Sequence, residues 1–571
     1  MKTTDRYTMR KSLFLIKSLV VVMIMASFNQ SCTNLDEELF DSVTPENFFN
    51  TEEEILAALG AAYTQFGNYG SGDPFSLQCV STDEMVVPTR GQDWDDGGEW
   101  RRLSLHSYTP EDGYFNGGWN FGFNGVNTAN RLIYQFQLLV DEGSMDPTLA
   151  AAFIAELRAV RGFFYWQLID MFGNVPLVTD FENTVATPPT VSRAEVFDWV
   201  VTDLEDAVPL LPKEVDGTTY GRMNFYAGKA LLAKLYLNAE VYTGTAMWAQ
   251  AEAACNEVIG GPYNLESNYF ANFDAGNTGT AEMIFAIPYD QVYYGSFNMS
   301  VRTLHYGSQA TFNLTQQPWN GFCTLEEFYN SYEDIDLRKG DVGTETVPQQ
   351  RRGNFIAGFQ HKASGGLVTD DGWEAPNPAR QPAPLLGDPD QAPLNFGNMG
   401  SGQPQLNELG PQAYRQSGVR IGKWEIALGS DPGAMDNDYA VFRLADILLM
   451  KAEALWRQNP GDANILPLVN QVRSRAGVLD LGSVDGPISF DLAGGSVAGG
   501  ELFNEIGREM FAENHRRQTL IRWGLYTRNA DWLPPTYNTQ DVLEDGAHTT
   551  LFPVHREKID ANPNLVQNPE Y

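Results

Sequence analysis

Apolar residues recur at spacings of three and four through 151–171 (AAFIAELRAVRGFFYWQLIDM), 192–207, 224–241, 247–259, 438–458, 463–476 and 499–523. That period commits much of the chain to amphipathic helices, each of which must bury one face. Ser192 followed by Glu195 reads as a capping box, and Pro209 and Pro212 stop the helix it opens. Two pairs read as helical hairpins. One is 224–241 with 247–259. The other is 438–458 with 463–476, joined by the turn Asn459-Pro460-Gly461-Asp462. Ala227, Ala230 and Ala233 supply the small residues that let such hairpins stack into one continuous core.

These hairpins are tetratricopeptide-like, although their spacing does not keep the period of about 34 residues, so the helices taken alone fit a generic α-solenoid as well. Between about 262 and 437 the texture changes: Gly, Pro, Asn, Gln and aromatics dominate and the helical period fades. Within it, 341–420 is the most loop-like, centred on PNPARQPAPLLGDPDQAPLNFGNMG. A second loop-rich block covers 66–125, and both blocks are expected on one side of the scaffold. The expected fold is mainly α, an α-helical scaffold of tetratricopeptide-like hairpins plus a loop-rich irregular half. With 43% hydrophobic and 12% aromatic residues in 571, the chain has ample material for a large core, which excludes a disordered class. The balance of 38 Lys+Arg against 73 Asp+Glu, a net charge of −35, would repel a phosphate backbone, and no basic stripe offsets it, so nucleic acid is not an expected partner.

The N-terminus reads as an address. Lys2, Arg6, Arg10, Lys11 and Lys17 precede an apolar run, 18–28, that ends near Ser31 and Cys32. A basic stretch, a short apolar stretch and a small residue before the cut describe a secretory leader. The run is shorter than the roughly 20 residues a membrane-spanning helix needs. Cys32 directly after a small residue resembles the lipobox of bacterial lipoproteins, with Asn29 standing where Leu is usual; the alternative is an ordinary leader with an incidental cysteine. Removing residues 1–31 takes away a net +4, leaving −39. One acyl chain binds a bilayer only marginally, whereas two or three hold firmly. Cys79, Cys255 and Cys323 remain, an odd number that allows at most one disulfide, and no disulfide framework is expected.

No G-x-S-x-G, H-E-x-x-H or G-x-x-x-x-G-K-[ST] occurs. The six histidines, at 106, 305, 361, 515, 548 and 555, form no ligand spacing with cysteine, so no zinc site is expected. Asp431, Asp436 and Asp438 cluster in a Gly-rich loop; they read either as a calcium site or, for Asp438, as the cap of the helix that follows. Arg158, Arg161, Asp446, Glu453, Glu509, Glu513 and Arg516 sit in otherwise apolar helical patterns. Buried charges must be paired, so they read as interhelical ion pairs rather than catalytic groups.

Several segments carry a family resemblance. Leu35-Asp36 and SVTPENFF (42–49) come first, then RAVRGFFY (158–165) with FGNVPL (172–177). WNGF (319–322) with Glu326-Glu327-Phe328 follows, then RLADILLMKAEA (443–454) and EMFAENHR (509–516). LFPV (551–554) and NPNLVQNP (562–569) close the chain. Taken in order, they resemble the SusD/RagB family of outer-membrane nutrient-binding lipoproteins across about 33–571. The resemblance implies a signal peptide at 1–31 and a single domain over 32–571. Its parts would be a helical part at about 33–261, a loop-rich ligand-side part at about 262–437, and a helical part with a closing tail at about 438–571. It further implies a binding protein without cofactor or chemistry of its own, anchored through Cys32 at the outer membrane and facing outward. The expected partner is a TonB-dependent transporter of the SusC type, over which the protein closes like a lid.

A sugar ring has an apolar C–H face and a polar rim. Exposed Trp and Tyr rings cover the face while Arg, Asp, Asn and Gln bond the hydroxyls. Two loops supply that combination: 83–96 with Trp100, and 290–298 with 316–320. The expected glycan platform uses Trp94, Tyr293, Tyr294 and Trp319, with Arg90, Asp83 and Gln317 on the rim. Peptide or another nutrient captured by the same lid, for which a basic peptide suits the charge, is the alternative, and a surface glycoside hydrolase is the third reading.

Overall fold

Among the described residues, the longest helix starts where the sequence reads as loop. α1 (Gly113–Asp141) is 29 residues long and opens with GYFNGGWNFGFNGVN, a stretch whose glycines and asparagines hide the helical period. Those glycines are a packing surface. A Cβ on Gly118 would stand 2.7 Å from Leu77, on Gly122 2.4 Å from Leu168, and on Gly125 2.2 Å from Phe164. Positions i, i+4 and i+7 share one helix face, so α1 lies on α2 (Pro147–Phe172) closely enough for whole side chains to fill the place of its own. Asp146 starts α2 by accepting from the amides of Thr148 (2.9 Å) and Leu149 (3.0 Å). The 66–125 block is therefore not loop throughout.

The computed structural model describes residues 52–90, 93–182, 185–295, 297–369, 393–397, 409–410, 413, 415–490, 496–534 and 546–571. The leader 1–31, Cys32, the opening motif at 35–49 and most of the Pro-rich centre at 376–400 lie outside them. Leu56–Tyr571 is one compact unit; of the unit before it only 52–55 are described.

Ser192 caps α3 (Arg193–Ala207) at the Glu195 amide (3.3 Å). α4 (Phe225–Leu237) and α5 (Trp248–Ile259) pair, α6 (Leu444–Gln458) and α7 (Ile465–Arg475) pair, and α5 packs on α6, so the two hairpins stack directly. The chain is mainly α, as its periodicity indicates. Three boundaries differ from the periodic reading. The 224–241 helix stops at Asn238 and resumes as a short turn of helix, Ala239–Thr243. The 438–458 segment begins as a strand: β1 (Met283–Ile287) pairs antiparallel with β2 (Tyr439–Arg443), and both are wholly buried. The 499–523 segment is two helices, α8 (Gly500–Met510) and α9 (Arg516–Arg522), broken where Ala512 and Asn514 take φ of 59° and 65°. In the loop-rich half, the strand Phe355–Phe359 pairs parallel with Val342–Gly343 and antiparallel with Asn395–Phe396 and Arg420–Ile421. Leu304, Leu314, Ile356, Val368, Leu394 and Phe396 give it a small core of its own.

Charged helical residues are paired inside the scaffold. Glu501, Glu505 and Glu509 recur every fourth residue on α8 and meet arginines from several segments. Arg338 reaches Glu505 (2.7 Å) and Glu509 (2.9 Å), Arg473 reaches Glu505 (2.9 Å), and Arg443 reaches Glu282 (2.9 Å) and Glu513 (2.7 Å). Burial alone would raise these carboxyls; Arg338, Arg508 and Arg473 outweigh it at Glu505, held at about 2, and Arg522 and Arg457 hold Glu453 at about 2. Asp203 takes both Arg158 (2.8 Å) and Arg161 (2.7 Å), and Asp446 takes Lys234 (2.8 Å). The C-terminal tail closes over the end of α2: Asn568 Nδ2 donates to the carbonyls of Phe172 (2.9 Å) and Phe552 (2.7 Å). No helix among the described residues is long and apolar enough to cross a membrane.

Candidate functional site

A tight turn carries the first ring. Arg90 and Asp93 exchange backbone hydrogen bonds (3.1 and 2.9 Å), and Trp94 follows in the left-handed region at φ 57°. A bulky side chain there costs roughly 1–2 kcal/mol unless its surroundings fix it. The fixation is visible. The Trp94 indole Nε1 donates to the Trp319 carbonyl at 2.6 Å. Its ring lies 5.6 Å from that of Trp100, 5.9 Å from Phe322 and 6.4 Å from Trp319, tilted 48° to the last. Gly321 makes room, since a Cβ there would stand 2.5 Å from the Trp94 ring.

The second ring is held from the other side. Trp319 N donates to Val301 O (2.7 Å), Asn320 takes φ 58°, and Gly321 and Phe322 amides both reach Arg302 O. Trp319 is nevertheless 46% exposed, whereas Trp100 and Phe322 beneath are buried. Two tryptophans, one exposed and one half-buried, thus form a tilted apolar surface on a floor of packed aromatics. Gln317 is exposed two residues away. The Tyr306 hydroxyl donates to the Asp93 carboxylate, fastening the turn from below.

The polar partners expected on the rim are elsewhere. Arg90 is fully buried and donates to the carbonyls of Asn320 (2.7 Å), Gly321 (2.8 Å) and Ser417 (3.0 Å). Asp83 is 3% exposed and takes Arg516 from α9 at 2.7 and 2.5 Å. Neither is a rim residue. A charge under a loop must find partners in the protein; Arg90 shapes the platform by clamping the 320–321 carbonyls, and Asp83 belongs to the scaffold.

Tyr293 and Tyr294 occupy a different setting. Tyr294 stacks on Tyr289 (5.6 Å, 16°) and its hydroxyl donates to Thr64 O (2.9 Å). Tyr293 is 89% exposed on a turn fixed by Asp290, whose Oδ1 accepts from the amides of Val292 and Tyr293 (both 2.8 Å). Both tyrosines line a cavity of 310 Å³.

The acidic loop does not converge on a metal. Asp431 accepts from Gln316 (2.6 Å) and Gly433 N (2.8 Å), Asp436 from Gln291 N (2.8 Å), and Asp438 from Tyr220 (2.6 Å) and Thr278 (2.8 Å). No group of three His, Cys, Asp or Glu among the described residues is placed to hold a metal ion. Asp438 precedes β2, not a helix, so it is not a helix cap. Trp100, read from the sequence only as an aromatic beside the first loop, and Phe322 and Gly321, read only as part of a family motif, form the floor of the platform. For Phe322 and Gly321 the signal is Trp-Asn-Gly-Phe, where a glycine between aromatics marks a close approach.

Comparison with known proteins adds to this geometry. A family model described as the SusD family matches 281–571, and one described as starch-binding, associating with the outer membrane, matches 34–237. Among curated proteins, the starch-binding protein SusD of Bacteroides thetaiotaomicron is 28% identical over 463 residues, 77% of this chain and 76% of that one. SusD-like protein P25 of Formosa agariphila is 20% identical across 97% of this chain and 98% of its own. Among solved structures, a laminarin-binding SusD-like protein superposes with a TM-score of 0.65 at 21% identity, covering 91% of this chain and all of that one. The surface glycan-binding protein A of Bacteroides thetaiotaomicron, in complex with laminarihexaose, gives 0.65 at 20% identity, covering 90% and 99%.

Proposed function

Because the chain belongs to the SusD family, we propose that it captures glycan on the Trp94–Trp319 surface and delivers it, chemically unaltered, to a TonB-dependent transporter of the SusC type. The observation that carries this reading is the pair of tilted indoles, one 46% exposed, held on a rigid aromatic floor by a strained backbone. A large apolar ring left in water and fixed there is poor use of a side chain that could be buried. It suits stacking against the C–H face of a sugar, at little cost in conformational entropy. Gln317 is close enough in sequence to bond a ring hydroxyl at the rim.

The relatives are named for binding starch or other glycans rather than for a reaction. No catalytic motif stands in the sequence, and the carboxylates described above are held by arginines, lysines, amides or hydroxyls. The protein is therefore read as a binder, with Cys32 as its acylated anchor and the outer face of the outer membrane as its place. Affinity electrophoresis of the mature chain through gels containing soluble starch or laminarin tests the first part: retardation by either is expected, and free migration through both would contradict it. Oligosaccharide recovered intact after prolonged incubation separates a binder from a hydrolase.

A further inference from the structure

The cavity beside Tyr294 has different chemistry from the tryptophan surface. Its 310 Å³ is walled by Gly60, Tyr63, Phe66, Phe285, Pro288 and Tyr294, with the exposed Tyr293 also lining it. A volume of this order holds a small ring. The hydroxyl protons of the two wall tyrosines are already taken within the protein. Tyr63 donates to Glu156 and accepts from Met223 N (2.8 Å). Tyr294 donates to the carbonyls of Thr64 (2.9 Å) and Tyr63 (3.2 Å). What faces the space is mostly ring carbon and aliphatic carbon, with Thr64 and the exposed Tyr293 as the polar groups of the lining. A sugar entering it would surrender hydration at most of its hydroxyls for few partners, whereas an apolar group would not.

The walls are also kept open. A Cβ on Gly60 would meet nothing within 4 Å. The turn that carries Tyr293 is fixed at its start, by Asp290 and by Asp436, which accepts Gln291 N (2.8 Å) and Nε2 (3.0 Å). Along the chain, Val301, whose carbonyl holds Trp319, stands seven positions after Tyr294. The Cα atoms of Tyr294 and Val301 therefore lie no more than about 25 Å apart.

We propose that this cavity receives an apolar aryl or acyl group carried by a glycan whose sugar rings lie on Trp94 and Trp319, an inference that rests on the glycan reading above. The site then prefers substituted chains over bare ones. The test compares methyl with 4-nitrophenyl glycosides of maltohexaose and laminarihexaose by calorimetry, and free 4-nitrophenol by ligand-observed NMR, on the wild-type mature chain, Gly60→Leu and Trp319→Ala. The 4-nitrophenyl glycoside is expected to bind about tenfold or more tighter than the methyl glycoside. Gly60→Leu, which adds a branched side chain at a lining position where a Cβ meets nothing within 4 Å, is expected to abolish that difference while leaving the methyl glycoside unchanged; Trp319→Ala weakens both.

Equal affinity for the two glycosides in the wild type overturns the proposal, as does a preference that survives Gly60→Leu. Binding of 4-nitrophenol alone, lost in Gly60→Leu, with no glycoside bound at all, would keep the ring pocket and sink the glycan reading, which separates the two failures. A Gly-Phe-Gly tripeptide displacing 4-nitrophenol where no glycoside does would assign the cavity to peptide instead.

Discussion

Trp94 keeps a backbone conformation that its side chain does not favour, and it does so because Gly321 gives its ring a place and Trp319 O takes its indole proton. Gly321→Ala is therefore expected to displace the Trp94 ring without touching ligand, weakening glycan binding by about tenfold, roughly 1.4 kcal/mol, with the change visible in near-ultraviolet circular dichroism; unchanged affinity would show that the ring is not part of the surface. Both tryptophans were legible in the sequence because no helical period claims them. Arg90 and Asp83 were not, because their partners lie 230 and 433 residues away and only the folded chain brings them together. Glu84 illustrates a further residue-scale effect. Burial pushes its carboxyl up to about 8, so the folded chain keeps a proton that the unfolded chain, near the ordinary value of about 4.3, releases. Between those values the native state binds more protons, and stability falls as pH rises. Glu84→Gln removes this dependence: its melting temperature relative to wild type is expected to increase from pH 5 to pH 8, and a constant difference would contradict the assignment.

At the scale of elements, composition and period gave opposing signals and the fold shows which prevailed. α1 was hidden by its glycines, yet those at 118, 122 and 125 are the face that seats it on Leu77, Leu168 and Phe164. Gly122→Val overpacks that contact and is expected to destabilise the chain by about 1–3 kcal/mol in urea unfolding. A change under a few tenths would mean the helices part easily. β2 was read as helix because Tyr439, Val441, Phe442 and Ala445 happen to fall at helical spacings. Its pairing with β1, buried on both sides, overrides that local pattern. The hairpins α4–α5 and α6–α7 were legible because small residues and long apolar stripes agree, and Glu509 on α8 was legible as paired charge because a buried carboxylate needs a partner, whereas Glu501 and Glu505 on the same face were not singled out.

Across the whole molecule, the scaffold is locked by buried ion pairs while the proposed binding surface lies on loops carried by it. Glu453 and Glu505, held at about 2, contribute stability that is present above the ordinary carboxyl value and lost as pH falls from about 5 toward 2. Thermal unfolding is expected to show a steep loss over that window, and a flat profile would contradict the pairing. Cys32→Ala is expected to move the protein from the membrane to the soluble fraction. The proposed capture of glycan rests most on the tilted indoles, and calorimetric titration of the wild type and Trp319→Ala with a glycan the wild type binds tests them directly. A folded variant with affinity reduced about tenfold or more is the predicted result; a folded variant with wild-type affinity would place the glycan elsewhere.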